Sequence, residues 1–534
     1  MSTPVSDTES PDTESADTAP ARRPRASVPA AAAAGIVAGL VALGLAELVA
    51  GFTRRWRSPV LDVGDRVIDR VPSWMKDLAI DWFGTKDKLA LLVGIGVLLA
   101  GYAALVGVVA LRRSIRVGLG ALGVFGAIGV WAALGRRVEV PVSVVTPSVV
   151  GTIAGCAALY GLWRISEPGT ANRPTDDSGR RTFLVGMGAL AATAGALAVA
   201  GRWLQGRFSA AASRAEVVLP RPLRTLDAPD PGVAVGVDGV TPFITPNDDF
   251  YRIDIALTVP QVPADTWRLR VHGMVERPYE ITFAELLERE LIETDITMTC
   301  VSNEVGGGLV GNARWLGARL DALLDEARVL PEADQVVGRS VDGWECGFPV
   351  EAATDGRDAI VAVGMNGEPL PLAHGFPARL VVPGLYGYVS ATKWLTEIEL
   401  TTFDAFDHYW ERRGWAREGP IRTQSRIDTP RGLQRVAPGV VPVAGVAWAQ
   451  TRGIAAVEVQ VDDGPWMEAE LADALNDTTW RQWVWRWNAS PGRHTLRCRA
   501  TDGTGAIQTA DRSEPIPDGA TGHHEVVVLV EDPT

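Results

Sequence analysis

TMTCVSNEVGGGLVGNARWL, Thr297 to Leu316, is the stretch on which the reading of this chain turns. A polar, strand-forming lead from Ile296 to Thr299 delivers Cys300 to a turn of Ser302, Asn303 and three consecutive glycines, Gly306 to Gly308. Backbone without side chains lets a ligand come close. A thiol in this setting serves as a nucleophile, a soft-metal ligand or a small core residue, and the stretch alone leaves the three open. Zinc sites and activated thiol nucleophiles usually include a histidine, and none lies between Glu290 and Arg319.

Outward from this stretch, the composition sets bounds. A chain of 534 residues, 47% of them hydrophobic, is long enough for several domains, and its apolar residues crowd into the first two hundred. Net charge is −13 and no basic run lies in the second half, so a nucleic-acid role has no electrostatic footprint. The four cysteines, Cys156, Cys300, Cys346 and Cys498, form no CxxC pair, which argues against structural zinc and against a disulfide framework. Cys156, Cys346 and Cys498 read as core residues.

Residues 1–27 have the Ser/Thr/Pro/acid composition of a disordered tail. Residues 28–202 hold five apolar stretches, Pro29 to Phe52, Leu89 to Leu111, Val117 to Leu134, Val140 to Trp163 and Phe183 to Ala200. Each is about the ~20 residues that cross a bilayer, so a five-helix transmembrane bundle is expected. Arg22, Arg23 and Arg25, then Arg112, Arg113 and Arg116, then Arg164, Arg173, Arg180 and Arg181 flank alternate ends, which places those segments in the cytoplasm and everything after Arg202 outside. SGRRTFL, Ser178 to Leu184, has the pattern of a twin-arginine export signal before the last span and gives the same sidedness. All six histidines follow the last span, which excludes bis-histidine haem among the apolar stretches, and Glu47 is the one carboxylate inside a span.

Residues 203–240 read as a linker. Residues 241–423 show mixed α/β patterning, with strands such as Trp267 to His272 and Ala359 to Val363 and helices such as Phe283 to Glu290 and Ala318 to Ala327. From 424 to 534 short strands alternate with Pro and Gly turns, the pattern of an all-β immunoglobulin-like sandwich.

Six separated motifs stand in order: FYRID at Phe250 to Asp254, the cysteine loop, GNARWLGARL at Gly311 to Leu320, MNGEPLPLAHGFPARLVVPG at Met365 to Gly384, TKW at Thr392 to Trp394, and YWERRGW at Tyr409 to Trp415. On these the segment from Phe250 to Trp415 resembles the molybdenum domain of the sulfite oxidase family. The resemblance implies an α+β molybdopterin domain between the transmembrane region and a C-terminal sandwich of dimerisation type. It implies molybdenum-molybdopterin as cofactor, with the Cys300 thiolate as the protein's metal ligand. Arg252, Arg379 and Lys393 fall at the motifs that bind the pterin phosphate, with Ser390 and Thr392 as hydroxyl donors and His374 at a cofactor-contacting position. Asn247, Tyr251, Asp254 and Asp342 are further carry-overs to cofactor contact, and Arg252 and Trp415 join Cys300 at the catalytic positions.

Two departures bear on substrate. Sulfite-oxidising members follow the cysteine with an Ala-Gly-Asn-Arg-Arg run, whereas Cys300 is followed by Val301, Ser302, Asn303, Glu304 and Val305, and Trp415 stands where those enzymes place an active-site tyrosine. Both weaken the case for a small oxyanion. The expectation is a membrane-anchored oxidoreductase that transfers an oxygen atom to or from a small molecule, or a sulfoxide or N-oxide reductase of the same fold. No cytochrome b5-like segment is read in the chain, so electrons are expected to pass to a separate cytochrome or quinone-linked protein. A homodimer through the C-terminal domain is expected, with the catalytic domain on the extracytoplasmic side of the cell membrane. The reading from another class is a non-catalytic membrane scaffold or sensor whose oxidoreductase domain has degenerated.

Overall fold

The computed structural model describes residues 26–71, 75, 82, 87–138, 140–166 and 176–531. The expected tail therefore lies outside the described residues except for Ala26 and Ser27. The chain divides into two compact units, Met1–Gly135 with Val140–Gly206, and Arg136–Glu139 with Arg207–Thr534.

The first unit is helical: α1 (Val28–Ala50), α2 (Pro59–Arg70), α3 (Asp87–Arg112), α4 (Ile115–Leu134), α5 (Thr146–Ser166) and α6 (Asp176–Gly206). Among the described residues, five helices are long and apolar enough to cross a membrane. Small residues let them approach closely. A side chain at Gly35 of α1 would come within 2.0 Å of the Ala103 carbonyl oxygen of α3, and one at Gly44 within 2.5 Å of the Ala194 carbonyl of α6. One at Gly151 of α5 would reach within 2.4 Å of the Ala42 carbonyl, so α1 is packed on three sides. The fourth apolar stretch enters its α-helix later than expected, through a 3₁₀ turn (Val142–Val145), with Pro147 in the first turn of α5, where its missing N–H costs nothing. The last helix is longer than its apolar core, and the side chains of residues 176–180, Arg180 included, lie outside the described residues. α2 was not anticipated; Ser58 accepts from the Val60 amide at its start and Pro59 leads it. The Glu47 carboxylate accepts a hydrogen bond from Gln205 Nε2 at 3.1 Å.

Among the described residues, the second unit holds nineteen strands in four sheets. The first sheet joins β1 (Arg268–Gly273), β2 (Tyr279–Thr282), β5 (Gln335–Ser340), β6 (Glu345–Pro349) and β10 (Leu395–Thr401) in the order β2-β1-β10-β5-β6. The second joins β3 (Leu291–Thr299), β4 (Val310–Arg319), β7 (Ile360–Met365) and β8 (Glu368–Pro369) in that order, with β9 (Arg379–Val381) also on β7. Ala318 and Arg319, expected to open a helix, instead extend β4, because they pair with Val361 and Ile360; the helix is Leu320–Ala327. The helix expected from Phe283 is Phe283–Leu287, started by a capping box between Thr282 and Glu285.

The remaining sheets form a β-rich C-terminal region: β11 (Gln424–Thr429), β13 (Gly439–Trp448), β16 (Glu470–Leu471) and β17 (Arg481–Ala489) in one; β12 (Arg435–Val436), β14 (Ile454–Val461), β15 (Trp466–Glu468), β18 (Gly492–Asp502) and β19 (His524–Val530) in the other. Strand alternation turns Leu496, Cys498 and Ala500 of β18 inward, where they meet Val443, Trp483 and Trp487 from the facing sheet. Val446, Trp448 and Trp480 belong to the large core of the preceding domain, so the two parts share one interior. The segment read as a linker is tied down as well: Arg214 donates to the Pro369 and Leu370 carbonyls, and Gln482 Oε1 accepts from the Val235 amide at 2.9 Å.

Candidate active site

β3 and β4 form a hairpin whose ladder ends at Thr299 opposite Val310, and Cys300 extends it by one rung, its amide donating to the Leu309 carbonyl at 2.9 Å. The loop between is shaped by its own polar groups. Asn303 Oδ1 accepts from the Leu309 amide at 2.7 Å, and the Gly307 amide donates to the Glu304 carbonyl at 2.9 Å. Cys300 is 7% exposed. Burial pushes its thiol above the usual range, while the backbone amide and hydroxyl of Ser302 and the charge of Lys393 act in the other direction. A dry sulfur with two donors and a cation beside it is suited to stay a thiolate once a soft metal takes the proton's place.

Lys393 belongs to a cluster of cations assembled from three separate segments. Asp254 sits at its centre: Oδ2 accepts from Arg252 Nε at 2.7 Å and from Lys393 Nζ at 2.9 Å, and its side chain is 4% exposed. Arg379 is buried on β9, gives Nη1 to the His374 carbonyl at 3.1 Å, and stands over the Trp315 ring with 5.2 Å between guanidinium carbon and centroid. Gly375, at φ 110°, makes this packing possible, since a side chain there would come within 3.1 Å of both Arg379 Cβ and Lys393 Cα. His374 points Nε2 at the Asn247 carbonyl, 3.1 Å away, and meets Phe250 edge to face.

Burial, then mutual repulsion, shapes the charges. Desolvation with Arg379 and Arg252 nearby lowers Lys393 to about 8 against the pull of Asp254, and desolvation lowers Arg379 to about 10. His374 falls to about 4, first through burial and then through the positive charge of Arg379, so it is neutral at pH 7. Tyr251 is held above its usual range by burial, then by its proximity to Cys300, with Arg379 opposing. Tyr251 and Lys393 thus come beside Cys300, and Asn247, Arg252, Asp254, His374 and Arg379 are joined to them through the contacts above.

The other expected residues sit differently. The Ser390 hydroxyl donates to the Tyr386 carbonyl at 3.0 Å, and Thr392 Oγ1 contacts Cys346 Sγ at 3.0 Å and the Gly338 carbonyl at 3.3 Å, so both hydroxyls are engaged inside the protein. Asp342 closes the β5–β6 turn by accepting from the Trp344 amide at 3.1 Å; this turn touches the lysine segment through the Val341 amide, which donates to the Trp394 carbonyl. Trp415 packs on Tyr388 and Trp410, with centroids 5.8 and 6.2 Å away. Tyr388 lies on the turn Gly387–Ser390, whose Gly387 abuts the Thr299 carbonyl and the Tyr251 hydroxyl. Arg314 turns away from the loop and is fixed by the buried Asp295 at 3.0 and 2.8 Å and by the Leu226 carbonyl.

Sequence reasoning missed two groups. Tyr386, pushed up to about 12 by burial and more weakly by Cys300, stands two residues beyond the last glycine of the HGFP motif segment, and its tyrosine-rich surroundings were the available signal. Arg426 and His524 reach the cysteine loop from strands more than a hundred residues downstream, and no local pattern announces them: Arg426 Nη1 donates to the Gly307 carbonyl at 2.8 Å, and His524 lies against Gly306.

The profile of the oxidoreductase molybdopterin binding domain matches residues 256–410. The mitochondrial sulfite oxidase of Rattus norvegicus is 30% identical over 316 residues, 50% of this chain and 57% of that enzyme. An uncharacterized oxidoreductase of Bacillus subtilis, YuiH, is 33% identical over 153 residues, 29% of this chain and 74% of that protein. The chain belongs to the sulfite oxidase family of molybdenum-dependent, molybdopterin-binding oxidoreductases. It spans only about half the length of the mammalian relatives it matches. Among solved structures, the sulfane dehydrogenase SoxCD from Paracoccus pantotrophus aligns with 56% of this chain and 85% of its own, at 24% identity and a TM-score of 0.48.

The family's cofactor fits the residues present. Among the described residues the cluster sets Arg252, Arg379 and Lys393 against the single carboxylate of Asp254, and the hydrogen bonds Arg379 makes within the chain all go to backbone carbonyls. Such an excess of positive charge, two of its three cations withdrawn from water, suits a phosphate, and charge-assisted hydrogen bonds to it are strongest where water is excluded.

Three imidazoles withdrawn from water, His374, His408 and His524, make a pH prediction, burial lowering His408 as well. Like His374, His524 is lowered to about 4, by burial and then by Arg426. Between pH 6.5 and 5 the unfolded chain takes up protons that the folded chain resists at these sites, so stability falls as pH falls through this window. His524→Gln should remove part of the loss in midpoint temperature across this window, followed by thermal unfolding of the purified protein; an unchanged slope would show that His524 is protonated in the folded state.

Proposed function

We propose that this protein is a membrane-anchored oxidoreductase that moves an oxygen atom between water and a small molecule at a molybdenum ligated by Cys300, exchanging electrons with a separate cytochrome or quinone-linked carrier. The observation that carries this reading is the cation cluster beside the Cys300 thiol, in which Arg379 and Lys393 are withdrawn from water and Arg252, at the rim, shares Asp254 with Lys393. When bound, the cofactor supplies the two-electron, oxygen-transferring metal centre. The chain supplies the rest. Cys300 holds the metal through sulfur, Arg252, Arg379 and Lys393 hold the pterin phosphate, and the neutral His374 is a hydrogen-bonding rather than a charged contact. Asn247, through its carbonyl, fixes the His374 ring, and Tyr251 lines the space between thiol and cations. Asp342, Ser390 and Thr392 support these segments, and Trp415 closes the substrate side through Tyr388.

Within that activity, a neutral oxygen donor such as a sulfoxide or N-oxide fits better than sulfite. Glu304 is exposed beside the cysteine, Val305 follows it, and the nearby Arg314 is held by Asp295 at 2.8 Å, out of reach of a substrate. The five apolar helices support a multi-pass anchor in the form of a bundle, with the twin-arginine pattern supporting export of the catalytic domain. The facing C-terminal sheets support an immunoglobulin-like domain, and a homodimer through it follows the family resemblance. The domain bounds proposed are 28–202, 241–423 and 424–534.

Cys300→Ser, nearly isosteric but a poor donor to a soft metal, should leave the fold intact and abolish turnover, whereas Cys346→Ser should keep the metal; full activity of the first variant rules out Cys300 as the ligand. Protein purified without molybdenum from a cofactor-competent host would favour the scaffold reading instead. A dianion at this pocket lacks a charge-assisted contact worth roughly 1.5–3 kcal/mol, about 10- to 150-fold in affinity. Steady-state assays should therefore show poor saturation by sulfite and better use of neutral sulfoxides or N-oxides, and micromolar saturation by sulfite with rapid turnover overturns this. Replacing Arg180 and Arg181 by Lys keeps the charge, so loss of protease accessibility of the catalytic domain in spheroplasts supports a receptor-read signal, and unchanged accessibility supports plain positive-inside anchoring.

A further inference from the structure

β3 is the outermost strand of its sheet, yet it is buried along almost its whole length. A buried edge must find partners for its amides and carbonyls. Near its start the partners come from the segment before β1: the Leu223 amide donates to the Leu291 carbonyl at 2.8 Å, and the Glu293 amide to the Arg224 carbonyl at 2.9 Å. Toward Cys300 they come from the C-terminal region. The Thr297 amide donates to the Thr478 carbonyl at 3.0 Å, and the Thr297 carbonyl accepts from Gln450 Nε2 at 2.8 Å. The Asp295 carbonyl accepts from Thr478 Oγ1 at 2.9 Å, and Thr297 Oγ1 accepts from the Trp480 amide at 2.7 Å.

Beyond Cys300 the pattern continues on the loop. Arg426 is anchored by Asp428 at 2.6 Å and by Thr241 Oγ1 at 2.9 Å, which leaves Nη1 aimed at the Gly307 carbonyl, 2.8 Å away. Gly306 takes φ 81°, and a side chain there would lie 2.1 Å from the His524 ring, whose Nδ1 accepts from the Ile427 amide at 3.0 Å. Internal bonds give the loop its shape; Arg426 and Gln450 set where it stands.

We infer that Arg426 and Gln450 are positioning residues for Cys300, holding the backbone on its two sides, so that the C-terminal β-rich region completes the metal site. This rests on the reading of Cys300 as the metal ligand. Neither residue needs to touch cofactor or substrate; Gln450 fixes the Thr297 carbonyl on the strand before the sulfur and Arg426 the Gly307 carbonyl in the loop after it.

The test uses the full-length, cofactor-loaded protein in detergent and compares Arg426→Ala, Arg426→Lys and Gln450→Ala with the parent. Amide hydrogen exchange across residues 300–309 should quicken about tenfold in the two alanine variants, with β17 and β18 unchanged, and Arg426→Lys should recover part of the protection. The visible sulfur-to-metal absorption should shift in the same variants. Parental exchange in the loop of both alanine variants overturns the inference, as does a rise spread evenly over the C-terminal strands. Should Arg426→Ala fail to accumulate, Gln450→Ala and Arg426→Lys are read by the same criteria. Exchange is measured without reference to the metal, so a Cys300→Ser protein that keeps its metal would remove the ligand reading while leaving the clamp to be judged by exchange alone.

Discussion

An edge strand in a protein interior is a constraint before it is a feature. The amides and carbonyls along the outer side of β3 have no neighbouring strand in their own sheet, and water does not reach most of them. An unpaired buried backbone group costs on the order of 1–3 kcal/mol, so a row of them forces other parts of the chain to close over that edge. The segment before β1 and the strands and loops around Gln450 and Thr478 do so. The core shared by Trp448 and Trp480 with the molybdopterin domain follows from the same docking. The cysteine at the end of this strand is thereby held in an interior built from three stretches far apart in sequence.

The second constraint is electrostatic. Arg379 and Lys393 are both withdrawn from water, and only one carboxylate, Asp254, stands between Lys393 and Arg252. The arrangement is tolerated because Arg379 spends its donors on carbonyls and lies over Trp315, while Lys393 lies 5.0 Å from the Trp394 ring. Pairing every cation with its own acid would lower the energy of the empty fold and remove the reason for an anion to bind. The neutral state of His374 belongs to the same balance, since a fourth charge among these cations would be repelled.

Much of this site was legible as short motifs, because each motif is a local backbone device. The glycine loop after Cys300, the HGFP turn with its left-handed Gly375, and the strand holding Arg379 each need particular residues at adjacent positions. Hydroxyls were less legible. Ser390 and Thr392 stand in the right segment, yet their oxygens turn to the Tyr386 carbonyl and to Cys346, because the short turn and the β5–β6 sheet present acceptors closer at hand. The facing of Arg314 is likewise set by its tertiary neighbours. Its neighbour Trp315 faces Arg379, and strand alternation sends Arg314 to the opposite face, where Asp295 is waiting.

The sequence by itself determined the apolar helices, the strand-rich C-terminal region, the thiol at the mouth of a glycine loop and the basic residues that gather near it. Those properties depend on composition, periodicity and runs of adjacent residues. Only the tertiary structure decided which cations share Asp254, which hydroxyls are spent within the protein, and that Arg426, Gln450 and His524 enclose the cysteine from the far end of the chain. The reason is physical. A hydrogen bond across more than a hundred residues leaves no periodic trace in sequence, because its two partners are brought together by the burial of surfaces that neither of them encodes alone.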